Sequence, residues 1–463
     1  MKKRYIAAAL AGFLGLGQPV AAAGKYTLIT LLHTNDLHAD VPEGLCRLAS
    51  LVKSIRKDMP NVILLDAGDI FHGSAVEYHT GGGGAAAVMT VMGYDGAAVG
   101  NHELDFGKDT FARFTERVPF PFICANLKSR DGSVKLIPYI ITEADDVKIA
   151  VLGLTTEETM ELQWRTTRED FIFEDPIETA KKYLPELREK ADAVVVLSHM
   201  GRDKDKELAK TLTGIDIIIG GHNHEHTTRN RYYVGDTLIA QANSHGKSLG
   251  RIDFTVRKDE NGAKIVSLNG KNGYWSDMEN PPLGLEYPKS ALVYPEGEAD
   301  PEALAAYEPY RAETAEFLGE KIGRLDKSVS HRTTRKMCAA ALAAHTGADI
   351  GVIDDRTVTD GLRSGDITRG DIFGLIRGYT RQELITIRVK AEKASALRKI
   401  LGVTTTDFDY KRPPADTVTV TGQAYVISKL INLVPDAEIV RENDVTTREA
   451  IVEYFAAFGA GKE

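Results

Sequence analysis

The 463-residue chain has little cysteine, no surplus of basic residues, and no long apolar run beyond the one at its start. Its three cysteines, Cys46, Cys124 and Cys338, show no paired spacing, so the sequence predicts no disulfide framework, although a bridge between Cys46 and Cys124 stays open. Acidic residues outnumber basic ones by 66 to 57, and this net charge of -9 argues against a nucleic-acid partner, because phosphate backbones are bound by basic patches. We therefore expect a soluble globular protein.

The start of the chain has the three parts of a secretory signal peptide. Residues 2–4 are basic, residues 5–16 are apolar, and Ala21, Ala22 and Ala23 supply small residues for cleavage. The apolar part is too short to span a bilayer. We expect residues 1–23 to be removed and the mature chain to be periplasmic or secreted, with no stable membrane insertion.

The length and the pattern of the chain predict two domains. Residues 24–282 alternate short apolar runs with helical stretches, which favours an α/β sandwich. A segment rich in proline, glycine and glutamate follows, and Asp300 before Pro301 is a good helix start, with an acceptor cap and then proline in the first turn. We expect a linker and a connecting helix over residues 283–320, and a second α/β domain over residues 321–463.

Seven residues that can bind metal follow short β-branched runs that predict buried strands. The runs are residues 28–32, 62–65, 97–99, 193–197 and 215–219, and the seven residues are Asp36, His38, Asp69, Asn101, His199, His222 and His224. Because the ligand crevice of an open α/β sheet lies outside the carboxyl ends of its strands, we expect these side chains to converge. Asp36 and His38 lie two residues apart, so an extended backbone would point both toward one ion.

The chemistry of these seven side chains predicts a site for two divalent ions. They offer imidazole, carboxylate and amide oxygen but no thiolate, which suits manganese, zinc or iron. The carboxylate of Asp69 can bridge two cations with its two oxygens. Two ions about 3.5–4 Å apart clamp a phosphoryl oxygen and lower the pKa of a water between them, so the set predicts a phosphoesterase.

His102 follows Asn101 directly, and Asp105 is close enough to accept a ring N–H and fix its tautomer. We expect His102 to stabilise the transferring phosphoryl group and to protonate the leaving oxygen. Taken singly, each motif also fits a surface turn or a capped strand end. Structural roles are predicted for the remaining histidines, which are His33, His72, His79, His226, His245, His331 and His345. Of these, His33 and His226 are close enough in sequence to the candidate ligands to contact them.

Five segments around these residues match a known pattern. They are His33-Thr34-Asn35-Asp36-Leu37-His38, Asp66-Ala67-Gly68-Asp69, Gly100-Asn101-His102-Glu103-Leu104-Asp105-Phe106-Gly107, Ser198-His199-Met200-Gly201 and Gly221-His222-Asn223-His224. Together they closely resemble the secreted 5'-nucleotidase and UDP-sugar hydrolase family of calcineurin-like metallophosphoesterases. The resemblance implies a four-layered α/β/β/α N-terminal domain, a connecting helix and a smaller C-terminal α/β domain.

The resemblance also implies how the metals are shared. One ion would be held by Asp36, His38, Asp69 and His224, and the other by Asp69, Asn101, His199 and His222. It implies the dyad of His102 and Asp105 as well. In this family the C-terminal domain binds the nucleoside through arginines and stacking aromatics.

The match is looser in the C-terminal domain. Arg363 matches an arginine of the family's substrate-binding segment, and Tyr379 stands near its first stacking aromatic. Val358 replaces the asparagine of that segment, and the family's glycine-rich segment is absent after Tyr425. Arg363 and Tyr379 are therefore the residues expected to contact substrate.

These features lead to the prediction of an exported phosphomonoesterase that acts on a small-molecule phosphate ester, with nucleoside 5'-phosphates favoured. Two other enzyme activities stay open on the same site, a 2',3'-cyclic-nucleotide phosphodiesterase and a phosphatase for sugar or other organic phosphates. A non-catalytic metal-bearing binding protein or adhesin is the alternative of another class, whose expected signature, broken metal ligands, is absent from this sequence.

Overall fold

A computed structural model describes residues 24–70, 72–159, 165–225, 231–260, 262–268, 292–378, 383–400, 402–409 and 414–459. The predicted signal peptide, His226 and Tyr379 lie outside the described residues. Across the ranges just given, none of the helices combines the length and the apolar character needed to cross a membrane.

Two β-sheets form the centre of the N-terminal part. In spatial order the first sheet contains Gly262–Leu268, Leu249–Asp259, Lys25–Thr34, Val62–Asp66, Gly96–Ala98, Phe122–Ile123 and Leu136–Ile137. The short strand Leu292–Val293 also pairs with Leu249–Asp259. The second sheet contains Arg231–Val234, Thr237–Ala240, Ile217–Gly220, Ala193–His199, Val147–Thr155 and Tyr139–Ala144. The strands that precede the candidate ligands run parallel to one another within each sheet, so their carboxyl ends meet at one edge.

The two sheets pack face to face, with helices on both outer faces. Ile29 and Leu31 belong to the core between the sheets, whereas Leu32 belongs to the core beneath the helices, because successive residues of a strand face opposite sides. The first sheet is covered by helices Cys46–Asp58, Gly83–Met92 and Lys108–Arg117, and the second by Pro176–Lys190 and Arg202–Thr211. This arrangement confirms the predicted α/β/β/α layers.

Smaller elements complete the N-terminal part. A two-stranded ribbon pairs Leu127–Ser129 with Phe171–Phe173. Short helical segments lie at Val41–Leu45, Ala75–Thr80, His102–Leu104 and Arg165–Asp170. Two of them, Ala75–Thr80 and His102–Leu104, directly follow candidate ligand segments and so help to fix the loops at the sheet edge.

A 19-residue helix, Pro301–Gly319, lies between the two parts of the chain. Asp300 caps it by accepting a hydrogen bond from the Ala303 backbone N–H, as the sequence predicts. The helix packs closely against Gly83–Met92, where a Cβ on Gly84 would lie 2.5 Å from the ring of Tyr307. Glycine at this position therefore allows the two helices to approach.

The C-terminal part is a second α/β unit, as predicted. Its main sheet contains, in spatial order, Val403–Thr405, Ile350–Asp354, Thr417–Gln423, Glu383–Lys390 and Glu438–Thr446, and a ribbon pairs Lys321–Leu325 with Gly365–Thr368. Its helices are His331–Thr346, Arg369–Leu375, Ala391–Ala394, Ser395–Lys399, Ala424–Leu433 and Thr447–Gly459. It contacts the N-terminal part through Tyr78, whose hydroxyl lies 3.1 Å from Thr446 Oγ1 and whose ring packs under the Arg448 guanidinium.

The three cysteines are free and buried, so no bridge joins Cys46 to Cys124 in this structure. Burial raises the pKa of each thiol to about 12. All three therefore act as small apolar side chains of the core.

Candidate functional site

The candidate site lies where the loops after the parallel strands meet. The loop after Lys25–Thr34 and the loop after Val62–Asp66 run side by side beyond the sheet. The Asp36 N–H donates to the Gly68 carbonyl at 2.9 Å, and the His38 N–H donates to the Asp69 carbonyl at 3.1 Å. This backbone pairing brings Asp36, His38 and Asp69 together.

Five of the seven candidate ligands have a left-handed backbone. The φ angles are 51° at Asp36, 46° at His38, 61° at Asp69, 76° at His222 and 53° at His224. The expectation of an extended backbone between Asp36 and His38 is therefore wrong, because the loop turns sharply toward the crevice. Non-glycine residues held in this region each cost on the order of 1–3 kcal/mol, and such residues cluster at functional sites.

Asp36 is the centre of the first group of side chains. Its Oδ1 lies 3.3 Å from His224 Nε2 and 3.9 Å from His38 Nε2, and the two imidazole nitrogens are 2.7 Å apart. His38 Nε2 is also 4.0 Å from Asp69 Oδ2. The structure thus brings together the four residues that the family resemblance assigns to one ion.

Asp69 is the centre of the second group. Its Oδ2 lies 3.1 Å from His199 Nε2, and His222 Nδ1 lies 2.9 Å from Asn101 Oδ1. The ligand atoms of Asp69, His199 and His222 fall within 4.8 Å of one another. The four residues assigned to the other ion also converge, with Asp69 facing both groups.

His199 provides a test of whether the cluster fits a metal ion. Its Nδ1 lies 2.6 Å from the Ala67 carbonyl and donates to it, so a neutral ring presents a lone pair on Nε2 toward the Asp69 carboxylate. A lone pair and a carboxylate that face each other inside the protein repel unless a cation lies between them. Burial opposes protonation, but Asp69 and Asp36 outweigh it and raise the pKa of His199 to about 10. The same position suits a divalent ion.

The buried side chains of His38 and Asp69 also suit metal binding. Burial lowers the pKa of His38 to about 3, so its ring is neutral and can act as a metal ligand. Burial opposes ionisation of Asp69, but the surrounding imidazoles outweigh it and hold the pKa of this carboxyl well below its usual value. The donor set therefore fits divalent cations.

His102 and Asp105 form the expected pair. His102 Nδ1 lies 2.7 Å from Asp105 Oδ2, and the ring is 28% exposed at a cavity of about 530 Å³. Burial opposes protonation of His102, but Asp105 and Asp69 outweigh it and raise its pKa to about 10. The cavity is lined by His38, Ala39, Asp40, His72, Gly73, His102, His224 and His245.

Two histidines for which the sequence predicts only structural roles line this cavity. The His72 ring stacks on His102, and the His245 ring lies 5.8 Å from that of His224. His72 follows Asp69 by three residues on the same loop, and that proximity was the available sequence signal. His33 is fully buried without a hydrogen-bond partner for either ring nitrogen, and burial lowers its pKa to about 3.

Glu103 and Asn35 hold the ligand loops in place. The buried Glu103 carboxylate accepts backbone N–H groups from Asp69 at 2.9 Å, Ile70 at 2.6 Å and Gly100 at 2.5 Å. Asn35 Nδ2 donates to Asp36 Oδ2 at 2.5 Å. Sequence reasoning gave neither residue a role, although both lie inside the recognised segments.

Glycines permit the close approach of these loops. A Cβ on Gly100 would lie 2.1 Å from Asp69 Oδ1, and one on Gly221 would lie 2.9 Å from His199 Nδ1. Any larger residue would push a candidate ligand away from its place.

The predicted substrate residue Arg363 lies in the C-terminal unit, and its contact with substrate stays a prediction. Arg363 is exposed, beside the bridge between Val329 and Leu362, and it does not line the cavity at His102. Val358 is buried in the C-terminal core, where its carbonyl accepts from His331 Nε2 at 2.7 Å. The predicted contact at Tyr379 lies outside the part of the chain that the structure describes.

Comparisons with known proteins agree with this geometry. Residues 29–226, which include all seven candidate ligands, match the calcineurin-like phosphoesterase family. The chain is 30% identical over 403 residues to a trifunctional nucleotide phosphoesterase protein of Bacillus subtilis, covering 75% of this chain and 26% of that protein. It is 28% identical over 479 residues to the 5'-nucleotidase of Vibrio cholerae, covering 88% of this chain and 84% of that protein.

The fold is also found in solved structures. A 5'-nucleotidase precursor from Thermus thermophilus matches with a TM-score of 0.64 and 21% identity, over 93% of this chain and 97% of that chain. The similarity therefore extends across both parts of the chain.

Proposed function

We propose that this chain, whose residues 29–226 match the calcineurin-like phosphoesterase family and which is similar to 5'-nucleotidases, is an exported two-metal phosphomonoesterase that favours nucleoside 5'-phosphates. The observation that carries the proposal is the convergence of the seven candidate ligand side chains, five of which gather around the two buried carboxylates of Asp36 and Asp69. The signal-peptide pattern at residues 1–23 supports export.

Each ion would have its own ligands, with Asp69 common to both. Asp36, His38, Asp69 and His224 would hold one, and Asp69, Asn101, His199 and His222 the other. Manganese, zinc or iron suits these oxygen and nitrogen donors. When bound, two such ions polarise the phosphoryl group and activate a water molecule for in-line attack.

The chain's own residues orient the site and move a proton. The backbone N–H of His102 donates to Asp69 Oδ1 at 2.9 Å, which orients the carboxylate that both ions would share. Asp105 holds the Nδ1 side of the His102 ring, so the protonated ring presents its Nε2–H away from Asp105. From there it would stabilise a phosphoryl oxygen and donate its proton to the leaving oxygen.

A hydrolysis panel tests the reaction and its substrate together. Purified protein loaded with Mn²⁺ would be assayed on nucleoside 5'-monophosphates, 2',3'-cyclic nucleotides, UDP-glucose and sugar phosphates, with Asp69→Asn as the inactive control. We expect the highest kcat/KM with a nucleoside 5'-monophosphate. A higher value with a cyclic nucleotide or a sugar phosphate would replace the proposed substrate.

The same panel separates an enzyme from a binding protein. Release of phosphate from none of these compounds by metal-loaded protein would favour the non-catalytic alternative, a metal-bearing binding protein or adhesin. Export is tested separately, by fractionation of cells that express the full chain and by N-terminal sequencing. The mature protein is expected to begin at Gly24.

A further inference from the structure

His72 is held firmly beside the proposed catalytic pair. Its loop is fixed on one side by the Ala39 N–H, which donates to the Ile70 carbonyl at 2.9 Å. On the other side Gly73 lies against the His38 backbone, where a Cβ would come within 2.4 Å of the His38 carbonyl oxygen. The described backbone on both sides of His72 therefore lies against the loop that carries His38.

The His72 ring covers one face of His102. The two ring centroids are 4.2 Å apart and the planes differ by 15°, so the rings are stacked. The His38 ring meets His102 at 5.3 Å and 74°. His102 thus has a stacked contact with the His72 ring and an edge contact with the His38 ring, and the contact with His72 is the closer one.

Both stacked rings turn Nδ1 toward the same carboxylate oxygen. Asp105 Oδ2 is 2.7 Å from His102 Nδ1 and 3.3 Å from His72 Nδ1. The first contact has full hydrogen-bond geometry, whereas His72 Nδ1 lies at the edge of hydrogen-bond distance from Asp105 Oδ2. Stacking, more than hydrogen bonding, is therefore the contact through which His72 can act.

We propose that His72 is a positioning residue that acts through His102, by stacking on its ring and holding Nε2 toward the phosphoryl group. This inference rests on the proposed function. Removing the stack would leave the His102 ring held by its hydrogen bond to Asp105 and by the contact with His38, with one face uncovered and its orientation less restricted. The chemical step then slows, while substrate and metal binding change little.

A double-mutant cycle tests whether His72 acts through His102. The proteins are wild type, His72→Ala, His102→Ala and the double variant, each assayed for kcat and KM on adenosine 5'-monophosphate and p-nitrophenyl phosphate. We expect His72→Ala to lower kcat roughly 10- to 100-fold with KM within about threefold of wild type. In the His102→Ala background the same change should lower kcat less than about twofold.

Two further readouts separate positioning from a general structural role. His72→Phe keeps an aromatic face and should restore kcat to within about threefold of wild type. The loss of kcat in His72→Ala should be larger for adenosine 5'-monophosphate than for p-nitrophenyl phosphate. The nucleoside is the poorer leaving group, so its departure depends more on proton donation. His345→Ala, in the C-terminal unit, is the matched control.

Metal content, measured by mass spectrometry, completes the test. We expect wild-type metal content in both His72 variants. Loss of metal in both would make His72 a ligand and overturn the proposal, as would equal kcat losses in the two backgrounds or failure of His72→Phe to restore activity. A wild-type protein that hydrolyses neither ester would refute the proposed function itself, and this inference with it.

Discussion

Replacing Gly100 with alanine tests how tightly the site depends on the position of Asp69. A Cβ on Gly100 would lie 2.1 Å from Asp69 Oδ1 and 2.5 Å from its backbone nitrogen, whereas ordinary van der Waals contact begins at 3.4 Å. Either the carboxylate or the Gly100 loop must therefore move by more than about 1 Å. The φ of Gly100 is not positive, so alanine fits the backbone itself and the clash is the only change.

The expected cost appears mainly in metal binding and catalysis. Overpacking of this kind costs about 1–3 kcal/mol of stability, which leaves the protein folded. A shift of about 1 Å in a metal-binding carboxylate should weaken metal affinity at least about 10-fold and lower kcat about 100-fold. Metal titration by calorimetry, phosphate release and urea unfolding measure the three effects.

The matched control is Gly374→Ala. Gly374 lies within the helix Arg369–Leu375, and nothing lies within 4 Å of the Cβ position. Alanine should stabilise this helix by about 0.5–1 kcal/mol and leave metal affinity unchanged. Wild-type metal affinity and turnover in Gly100→Ala would refute the role given to Asp69.

Three further outcomes follow from the structure. Burial raises the pKa of Glu77 from 4.5 to about 7, so the stability that its protonated form contributes is present below about pH 4.5 and lost as the pH rises to about 7. Glu77→Gln should remove this loss, which amounts to a difference of up to roughly 3 kcal/mol between urea titrations at pH 4.5 and pH 8. The same pH dependence of stability in wild type and variant would contradict this account. Tyr78→Phe removes the hydroxyl contact with Thr446 and should cost about 1 kcal/mol by urea unfolding, whereas the exposed Tyr294→Phe should cost nothing measurable. The buried free thiols should be unreactive in the native protein and all three should react after unfolding; a single reactive thiol would reveal a bridge.

The sequence was sufficient for the layers of the fold and for the convergence of the ligand residues. Short β-branched runs such as residues 193–197 form buried strands wherever they pack, so a local pattern identifies them. Once the strands are parallel, their carboxyl ends share one edge within each sheet, and the face-to-face packing of the two sheets brings Asp36 and His224 together. The strands and the convergence were predicted from local patterns and general rules of topology, whereas the four-layered arrangement was implied by the family resemblance.

The one expectation that was wrong, and the residues that the sequence did not single out, depend on how separate segments pack. The left-handed turn at Asp36 arises because its loop pairs with the loop before Asp69, and nothing in the first loop alone requires it. His72 resembles any loop histidine until its stacking on His102 is seen. Arg363 was carried over from a family segment and stays a prediction as a substrate contact, because a local motif does not encode how the C-terminal unit packs.

The number of divalent ions bound per chain is the most direct test of the central claim. Purified wild-type protein and Asp69→Asn would be equilibrated with Mn²⁺, desalted and analysed by mass spectrometry beside phosphate-release assays. Because Asp69 faces both ligand groups, we predict about two ions and phosphatase activity in the wild type, and loss of both ions and of activity in the variant. An active wild type with one ion or none, or a variant that keeps two, would contradict the two-metal site.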